Sequence, residues 1–504
     1  MSTPPLICGI DAGTSQVRAL VFRTDGVVVA SAAQPTPTRL LGSDRAELDA
    51  QDFWAAIVAV LRWVVAEVPD PKAIRSVAVA SVGEAGVLSA RDGRALAPII
   101  AWFDTRTRGE LDRLLAHVGF ERLHRLTGLC ADPTFTLLKL LWLKRHRPAD
   151  FALARHWLNL GDYLGWRLSG ERATELSLAS RTMLLDIERG AWSSALLELC
   201  EIPSSLLPPL RPSGSLLGRV LPEVAAATGL PGDCAVGIGG HDHVCGMIAA
   251  GADGPGVMLD SLGTAEALTL TCDRPLTDPA LGRAGFNQGS FAVDSPLYYV
   301  FGGLPTAAGA VEWFRSLYPG VDHATLIAEA ESAAANDGTL FLPHLRLGSP
   351  PYPDPVARGA FLGVSSATGR GALFRAVLEG VALDGAHILD SMLRLLAAPA
   401  PHRILAIGGS TRNLLLMRLK ASAFGSPLAV LELPDTTCLG AALLGGIAGD
   451  VFADLAQARA SLEVPVRNVT PLPEWDERHR SRRLATYAAA YEALRPLHRR
   501  LLDA

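Results

Sequence analysis

Lysine is scarce in this chain of 504 residues: there are four, Lys72, Lys139, Lys144 and Lys420, and none follows a glycine. That excludes a Walker A loop, whose glycine-lysine pair cradles phosphates, and the lysine motif of protein kinases. Any handling of a polyphosphate must then rest on backbone N–H groups, Mg²⁺ and arginine, with Arg18 a candidate. The seven cysteines (Cys8, Cys130, Cys200, Cys234, Cys245, Cys272 and Cys438) are odd in number and contain no C-x-x-C pair. This is unlike a zinc ribbon or a disulfide framework, and a reducing cytoplasm is the expected setting. Met1 to Leu6 lacks a basic region followed by an apolar stretch, so no signal peptide is expected. Long apolar runs are missing too: Leu137 to Leu143 is broken by Lys139 and falls far short of the roughly 20 residues that cross a bilayer. An excess of positive charge is also lacking. A net charge of −5 argues against a general nucleic-acid binder, which needs clustered cations to neutralise phosphates. The one basic cluster, Arg478 to Arg483 and Arg495 to Arg500, flanks Leu484 to Leu494, whose pattern suits a terminal amphipathic helix with a solvated basic face.

What is present reads as a globular α/β protein. The composition is 49% hydrophobic and 19% charged, and the length suggests two large domains or three smaller ones. Leu6 to Ile10, Val17 to Phe22 and Val27 to Ala30 read as three strands, joined by turns at Asp11-Ala12-Gly13-Thr14 and Asp25-Gly26. A strand, not a helix, follows the first glycine turn, which disfavours a dinucleotide-binding fold. The pattern recurs at Gly256 to Thr271, with Asp260-Ser261-Leu262-Gly263-Thr264 as the turn, so Asp11 and Asp260 look like two copies of one device. Such a repeat suggests two similar domains facing each other across a cleft, with a hinge near Gly246 to Gly256. Elsewhere Phe53 to Val68, Phe135 to Arg145 and Gly371 to Leu396 have helical spacing, Ser76 to Ala80 and Arg403 to Ile407 read as strands, and Ser410 caps a helix through Phe424.

Several of these segments suit chemistry. A Gly-Thr turn between strands presents successive N–H groups into one concavity, with the hydroxyls of Thr14, Ser15 and Thr264 alongside, and two such turns could clamp a triphosphate. Each turn alone also reads as an ordinary hairpin. Asp242, in Gly239-Gly240-His241-Asp242-His243 after a strand, is placed to accept the proton of an attacking hydroxyl, or it is a turn-forming aspartate. His241 and His243 share a strand face and form a candidate metal pair, the basis of an alternative reading as a metal-dependent hydrolase. In Gly408-Gly409-Ser410-Thr411-Arg412-Asn413 the glycine backbone could take an adenine while Asn413 reads its polar edge. Trp102, Asp104 and Arg106 combine an aromatic platform with an acid and a base, and Glu84 follows a strand; both suit polyol binding, and both could equally be structural ion pairs.

Taken in order, Asp11 to Arg18, the Asp242 segment, Ser261 to Thr264, Arg358 to Gly363, Ala376 to Gly380 and Gly408 to Asn413 resemble the FGGY carbohydrate kinases, from about residue 6 to residue 450. Thr136 to Trp142, with Lys139 and Trp142, resembles a further signature of that family. The resemblance implies a duplicated, two-domain actin-like ATPase fold of the ribonuclease H-like kind, with an interdomain cleft: residues 1–248 binding sugar and 249–504 binding nucleotide. It implies ATP and Mg²⁺ as cofactors and a small sugar, ketose or polyol as partner, with a homodimer as a further candidate assembly. Asp242 would be the base, and Asp11 would hold Mg²⁺ through water. Gly13, Thr14, Ser15, Arg18, Gly263 and Thr264 would meet phosphates, and Gly309, Gly408, Gly409 and Asn413 the nucleotide. Glu84, Trp102, Asp104, Arg106, Phe135, Asp242 and His243 would line the sugar site. Departures bear on substrate: xylulokinase-like members carry Gln-Met-His where this chain reads Gly83-Glu84-Ala85, and glycerol kinases carry an arginine before the glutamate. A non-catalytic sugar or nucleotide sensor on the same fold is the other alternative.

Overall fold

The glycine-broken apolar runs assemble into two sheets in a computed structural model that describes residues 4–42, 44–294, 296–333 and 338–502. Residues 1–3 of the Met1 to Leu6 stretch lie outside the described residues. In the first sheet Leu6–Ala12, Gln16–Arg23 and Val28–Pro35 form an antiparallel meander. Ile74–Ser81 pairs parallel to Leu6–Ala12, Ala235–His241 pairs parallel to Ile74–Ser81, and Leu216–Arg219 closes the edge. The central strand is buried at every residue, as expected where both faces of a sheet are covered. The second sheet repeats this plan. Val257–Leu262, Glu266–Cys272 and Pro296–Leu304 form the meander, and Arg403–Ile407 and Leu428–Leu431 add in parallel. Asn287–Ala292 and Val466–Val469 complete its edges. This is the duplicated, two-domain α/β architecture that the repeat predicts.

The repeat is offset by one residue from its expected form. With the Gly-Thr turns aligned, Asp11 corresponds to Ser261, not to Asp260. Because side chains alternate across a strand, the offset turns Asp260 to the other face. There its carboxylate lies 3.1 Å from Lys420 Nζ, which also donates to Glu266 at 2.6 Å, all three side chains being sealed from solvent.

The two halves exchange helices. Asp242–Ala250 follows the last parallel strand of the first sheet, yet Val244, Cys245, Met247 and Ile248 share a core with Leu259, Leu405, Ile407 and Leu431 of the second half. Thr436–Ala448 follows the last parallel strand of the second sheet, and Cys438, Leu439, Ala442 and Leu443 pack on Ile7, Leu20 and Phe22 of the first. The helices meet at Gly440, where a Cβ would lie 1.9 Å from the Cys245 carbonyl oxygen. The junction therefore includes a helix far from the hinge expected at Gly246 to Gly256, and Gly246 itself lies within a continuous helix.

Two other expectations change. Gly409–Arg412 forms a short 3-10 turn, and Asn413, not Ser410, caps the helix Leu414–Phe424 by accepting from the Leu416 N–H at 3.1 Å. The terminal helix is longer than expected, Glu477–Leu502, and its basic face is not wholly solvated: Arg483 donates to Glu379 at 2.6 Å and Arg480 to the Ala423 carbonyl at 2.8 Å. A separate small core in the first half, built on Leu111, Leu123, Phe135, Leu138, Trp157 and Leu184, carries the helix Thr136–His146 to the mouth of the first sheet.

Candidate active site

Strand register decides which side chains meet. Ala12 pairs with Ser81, and Ser81 with His241, in parallel strands, so Asp11, Glu84 and Asp242 emerge at the carboxyl ends of three neighbours, where open α/β sheets place their ligands. Asp242 opens the helix Asp242–Ala250, and its Oδ1 accepts from the His243 N–H at 2.6 Å. Burial pushes the Asp242 carboxyl above the usual carboxylate range; His243 opposes this, the charge of Glu84 adds to it and Arg181 opposes it. Its side chain nevertheless keeps 24% of its surface open, enough to meet a ligand. His241 Nε2 lies 3.2 Å from Asp242 Oδ1, and burial drives that imidazole well below its ordinary value, so it is neutral.

Glu84 sits in the left-handed region at φ 62°. Arg181, in the turn after the helix Leu176–Ser180, donates to its Oε1 through Nε at 2.6 Å and a terminal nitrogen at 2.5 Å. The guanidinium lies 5.2 Å over the ring of Phe135. Beneath Glu84, Lys139 donates to the Glu84 carbonyl at 2.7 Å and the Thr134 carbonyl at 2.8 Å, and burial pushes its ammonium down to about 7. Trp102 is 43% exposed and stands edge-on to Phe103; its indole N–H donates to the Thr14 hydroxyl at 2.8 Å. Asp104 is almost wholly buried, and its two oxygens accept from Arg106 and from the Ala46 N–H, while Arg106 also donates to Glu47 at 2.6 Å. Asp104 and Arg106 thus hold the loop beneath Trp102 and bind each other.

At the first glycine turn, Arg18 bridges Asp11 and Asp435, meeting Asp435 at 2.7 Å. Burial raises the Asp11 carboxyl to about 7 against the pull of Arg18, with Asp242 and Asp435 adding to the rise. Ser15 is exposed at the tip of this hairpin. In the second half, Ser261 pairs with Ile407 in parallel strands, which brings Gly263-Thr264 beside Gly408-Gly409. Gly408 has φ 102°, and a Cβ there would lie 2.4 Å from the Leu262 carbonyl oxygen, so only glycine fits. The Gly309 N–H donates to the Thr264 carbonyl at 3.0 Å. Three glycine segments distant in sequence therefore converge on one exposed surface.

The model of the N-terminal domain of the FGGY family of carbohydrate kinases matches residues 6–249, and the model of its C-terminal domain matches residues 259–449. The chain belongs to the FGGY family of carbohydrate kinases. It is accordingly a phosphotransferase with an alcohol group as acceptor. A glycerol kinase of Gloeobacter violaceus is 31% identical over 471 residues, covering 90% of each chain, and a xylulose kinase of Bacillus subtilis is 30% identical over 458 residues, again 90% of each. The crystal structure of xylulose kinase from Rhodospirillum rubrum superposes with a TM-score of 0.89 at 30% identity, covering 98% of this chain and all of that one. FGGY kinases use ATP as phosphate donor, generally with Mg²⁺.

Two residues that organise this FGGY site carry little sequence signal. Arg181 is the one cation in a run of small and apolar residues, Leu176 to Leu185, and that isolation was the available clue. Asp435 reads as an ordinary helix cap, which it also is, accepting from the Cys438 N–H at 3.0 Å. The His241 and His243 rings lie 5.2 Å apart, and among the described residues no group of three or more His, Cys, Asp or Glu could hold a metal ion. The hydrolase reading thus lacks a third ligand.

Proposed function

We propose that this kinase transfers the γ-phosphate of ATP to a hydroxyl of a small sugar, ketose or polyol, with Asp242 taking up the hydroxyl proton. The observation that carries the reading is Asp242 at a strand end beside Glu84 and Asp11, part open, with its carboxyl raised by burial. A raised carboxylate that still meets solvent suits a general base, since basicity rises with pKa while the charged form remains available. In this reading residues 1–248 hold the acceptor, through Glu84, Trp102, Phe135 and His243, while Asp104 and Arg106 fix the Trp102 loop. Residues 249–504 hold the nucleotide at Gly263, Thr264, Gly309, Gly408, Gly409 and Asn413, and Gly13, Thr14, Ser15 and Arg18 reach its phosphates from across the cleft.

Asp11 fits a Mg²⁺ held largely by water and phosphate. One of its oxygens is taken by Arg18 and the other is left as a hard donor, and Mg²⁺ is commonly bound by one or two carboxylates with substrate phosphates. When bound, the ion would neutralise charge on the phosphate oxygens. Release of ADP on mixing with ATP, Mg²⁺ and a panel of pentuloses, hexuloses, tetruloses, polyols and sugar acids tests the proposal. A protein that binds ATP but releases no ADP with any member is a sensor, not a kinase.

A further inference from the structure

The acceptor side of the cleft contains a cation that is already paired. Arg181 directs two nitrogens to a single oxygen of Glu84, and its guanidinium rests on the face of Phe135. Gly83 fixes it from the other side: a Cβ there would lie 2.8 Å from Arg181 Cγ, so the stem lies flat against bare backbone. Wedged between an aromatic face and a glycine, Arg181 stays where Glu84 holds it. Glu84 meets Arg181 through Oε1 alone, which leaves its second oxygen as an acceptor for a hydroxyl.

Charge around this point is lopsided. Burial raises the carboxyls of Asp132 and Asp242, with Glu84 adding to the rise and Arg181 opposing it, so three carboxylates lie within electrostatic reach of one guanidinium. The nearby ammonium of Lys139 is turned onto two backbone carbonyls, those of Glu84 and Thr134. A hydroxyl entering here finds acceptors. A carboxylate entering beside Glu84 finds like charge in surroundings where burial strengthens the repulsion, and the cation it would meet there, Arg181, is already paired; Arg108, which also acts on Asp132, is exposed, where water and salt screen it.

We propose that the acceptor site selects uncharged polyols and sugars and rejects sugar acids, because the Glu84 carboxylate takes up Arg181. Glu84 sets this specificity, and Arg181 is a positioning residue that acts through it. The inference rests on the kinase reading above and narrows its substrate class. A site that lacked Glu84 would leave Arg181 free to bind a substrate carboxylate bidentately, so removing one charge changes the preference and not only the rate.

The test compares acceptors matched in carbon number, such as glycerol with glycerate, xylulose with xylonate and sorbitol with gluconate, by ADP release from the full chain. In the unaltered protein the best neutral acceptor should exceed its acid partner in kcat/KM by at least about tenfold; a smaller gap, or an acid as best acceptor, overturns the proposal. In Glu84→Gln the gap should narrow by about tenfold or more, chiefly through a lower KM for the acid. The double variant Glu84→Gln with Arg181→Met should lose that gain. An unchanged gap in folded Glu84→Gln overturns the proposal, and if that variant does not fold, the comparison in the unaltered protein still decides. ADP release with an acid but not with a neutral acceptor overturns this inference and leaves the kinase standing, whereas no ADP release with any acceptor overturns both.

Discussion

The indole N–H of Trp102 donates to the hydroxyl of Thr14 across 88 positions of sequence, at 2.8 Å. In the proposed reading it joins the aromatic platform of the acceptor side to the hairpin that meets phosphate, so that the two halves of the reaction would share one contact. Thr134 holds the other end of the platform by donating to the Trp102 carbonyl at 2.6 Å. Trp102→Phe keeps an aromatic face, though a smaller one, and deletes the donor. A neutral hydrogen bond contributes about 1 kcal/mol, so the variant should raise the KM of both acceptor and ATP by roughly threefold to tenfold. Steady-state kinetics with each substrate varied in turn would show it. A change in one KM alone would mean that the contact does not couple the sites.

Asp242→Asn retains shape and removes basicity. Positioned general bases contribute about 10²- to 10⁴-fold, so kcat should fall by that much while ATP affinity, measured by calorimetry, changes little. A variant that retains more than a few per cent of turnover would remove Asp242 from the role of base.

The pH dependence has a defined sign. Burial raises the Asp242 carboxyl, and a base works only when deprotonated, so kcat/KM should fall as pH falls through its pKa. The acid limb should lie above the ordinary carboxylate value of about 4. Asp11, raised to about 7 in the free protein, must lose its proton to hold a cation. Mg²⁺ affinity should therefore weaken as pH drops through 7, with proton release on binding. Calorimetry in two buffers of different ionisation enthalpy would count those protons. An Mg²⁺ affinity flat from pH 6 to 8 would separate Asp11 from the metal.

Much of this was legible in sequence wherever local chemistry and tertiary role agree. The Gly13-Thr14 and Gly263-Thr264 turns are hairpins in both senses, and Gly425, with φ 68°, ends its helix as its residue type dictates. Reading failed where partners lie far apart in the chain. Asp260 resembles Asp11 in spacing, yet one residue of offset sends it to Lys420, 160 positions away. Arg181 meets Glu84 over 97 positions, a pairing that no periodicity encodes. The packing of Thr436–Ala448 on Ile7, Leu20 and Phe22 was equally hidden, because it is set by a sheet face from the opposite half of the chain.

Gly440 supplies a prediction in which two effects oppose. In an exposed helix interior, glycine to alanine stabilises by about 0.8–1 kcal/mol. Here the new methyl would meet the Cys245 carbonyl oxygen at 1.9 Å, forcing the crossing helices apart, and overpacking of this kind costs about 1–3 kcal/mol. The clash should win. Gly440→Ala should lower the midpoint of chemical denaturation, and it should also weaken synergy between acceptor and nucleotide binding if lobe movement passes through this crossing. A stabilised Gly440→Ala protein would mean that the helices part without cost.

Lys420 lies between Asp260 and Glu266 in a fully buried cluster. Burial holds the Glu266 carboxyl above the usual carboxylate range, with Asp260 adding to the rise and Lys420 opposing it, so the lysine is what makes two adjacent acids tolerable there. Removing one member of a buried pair costs about 3–5 kcal/mol, whereas replacing the whole set with well-packed neutral groups is often tolerated. Lys420→Met should therefore destabilise strongly, and the triple variant Lys420→Met with Asp260→Asn and Glu266→Gln should recover a good part of the loss. Urea denaturation of the three proteins measures both steps. Equal stability of the single and triple variants would show that stem packing of Lys420, not its charge, secures the cluster.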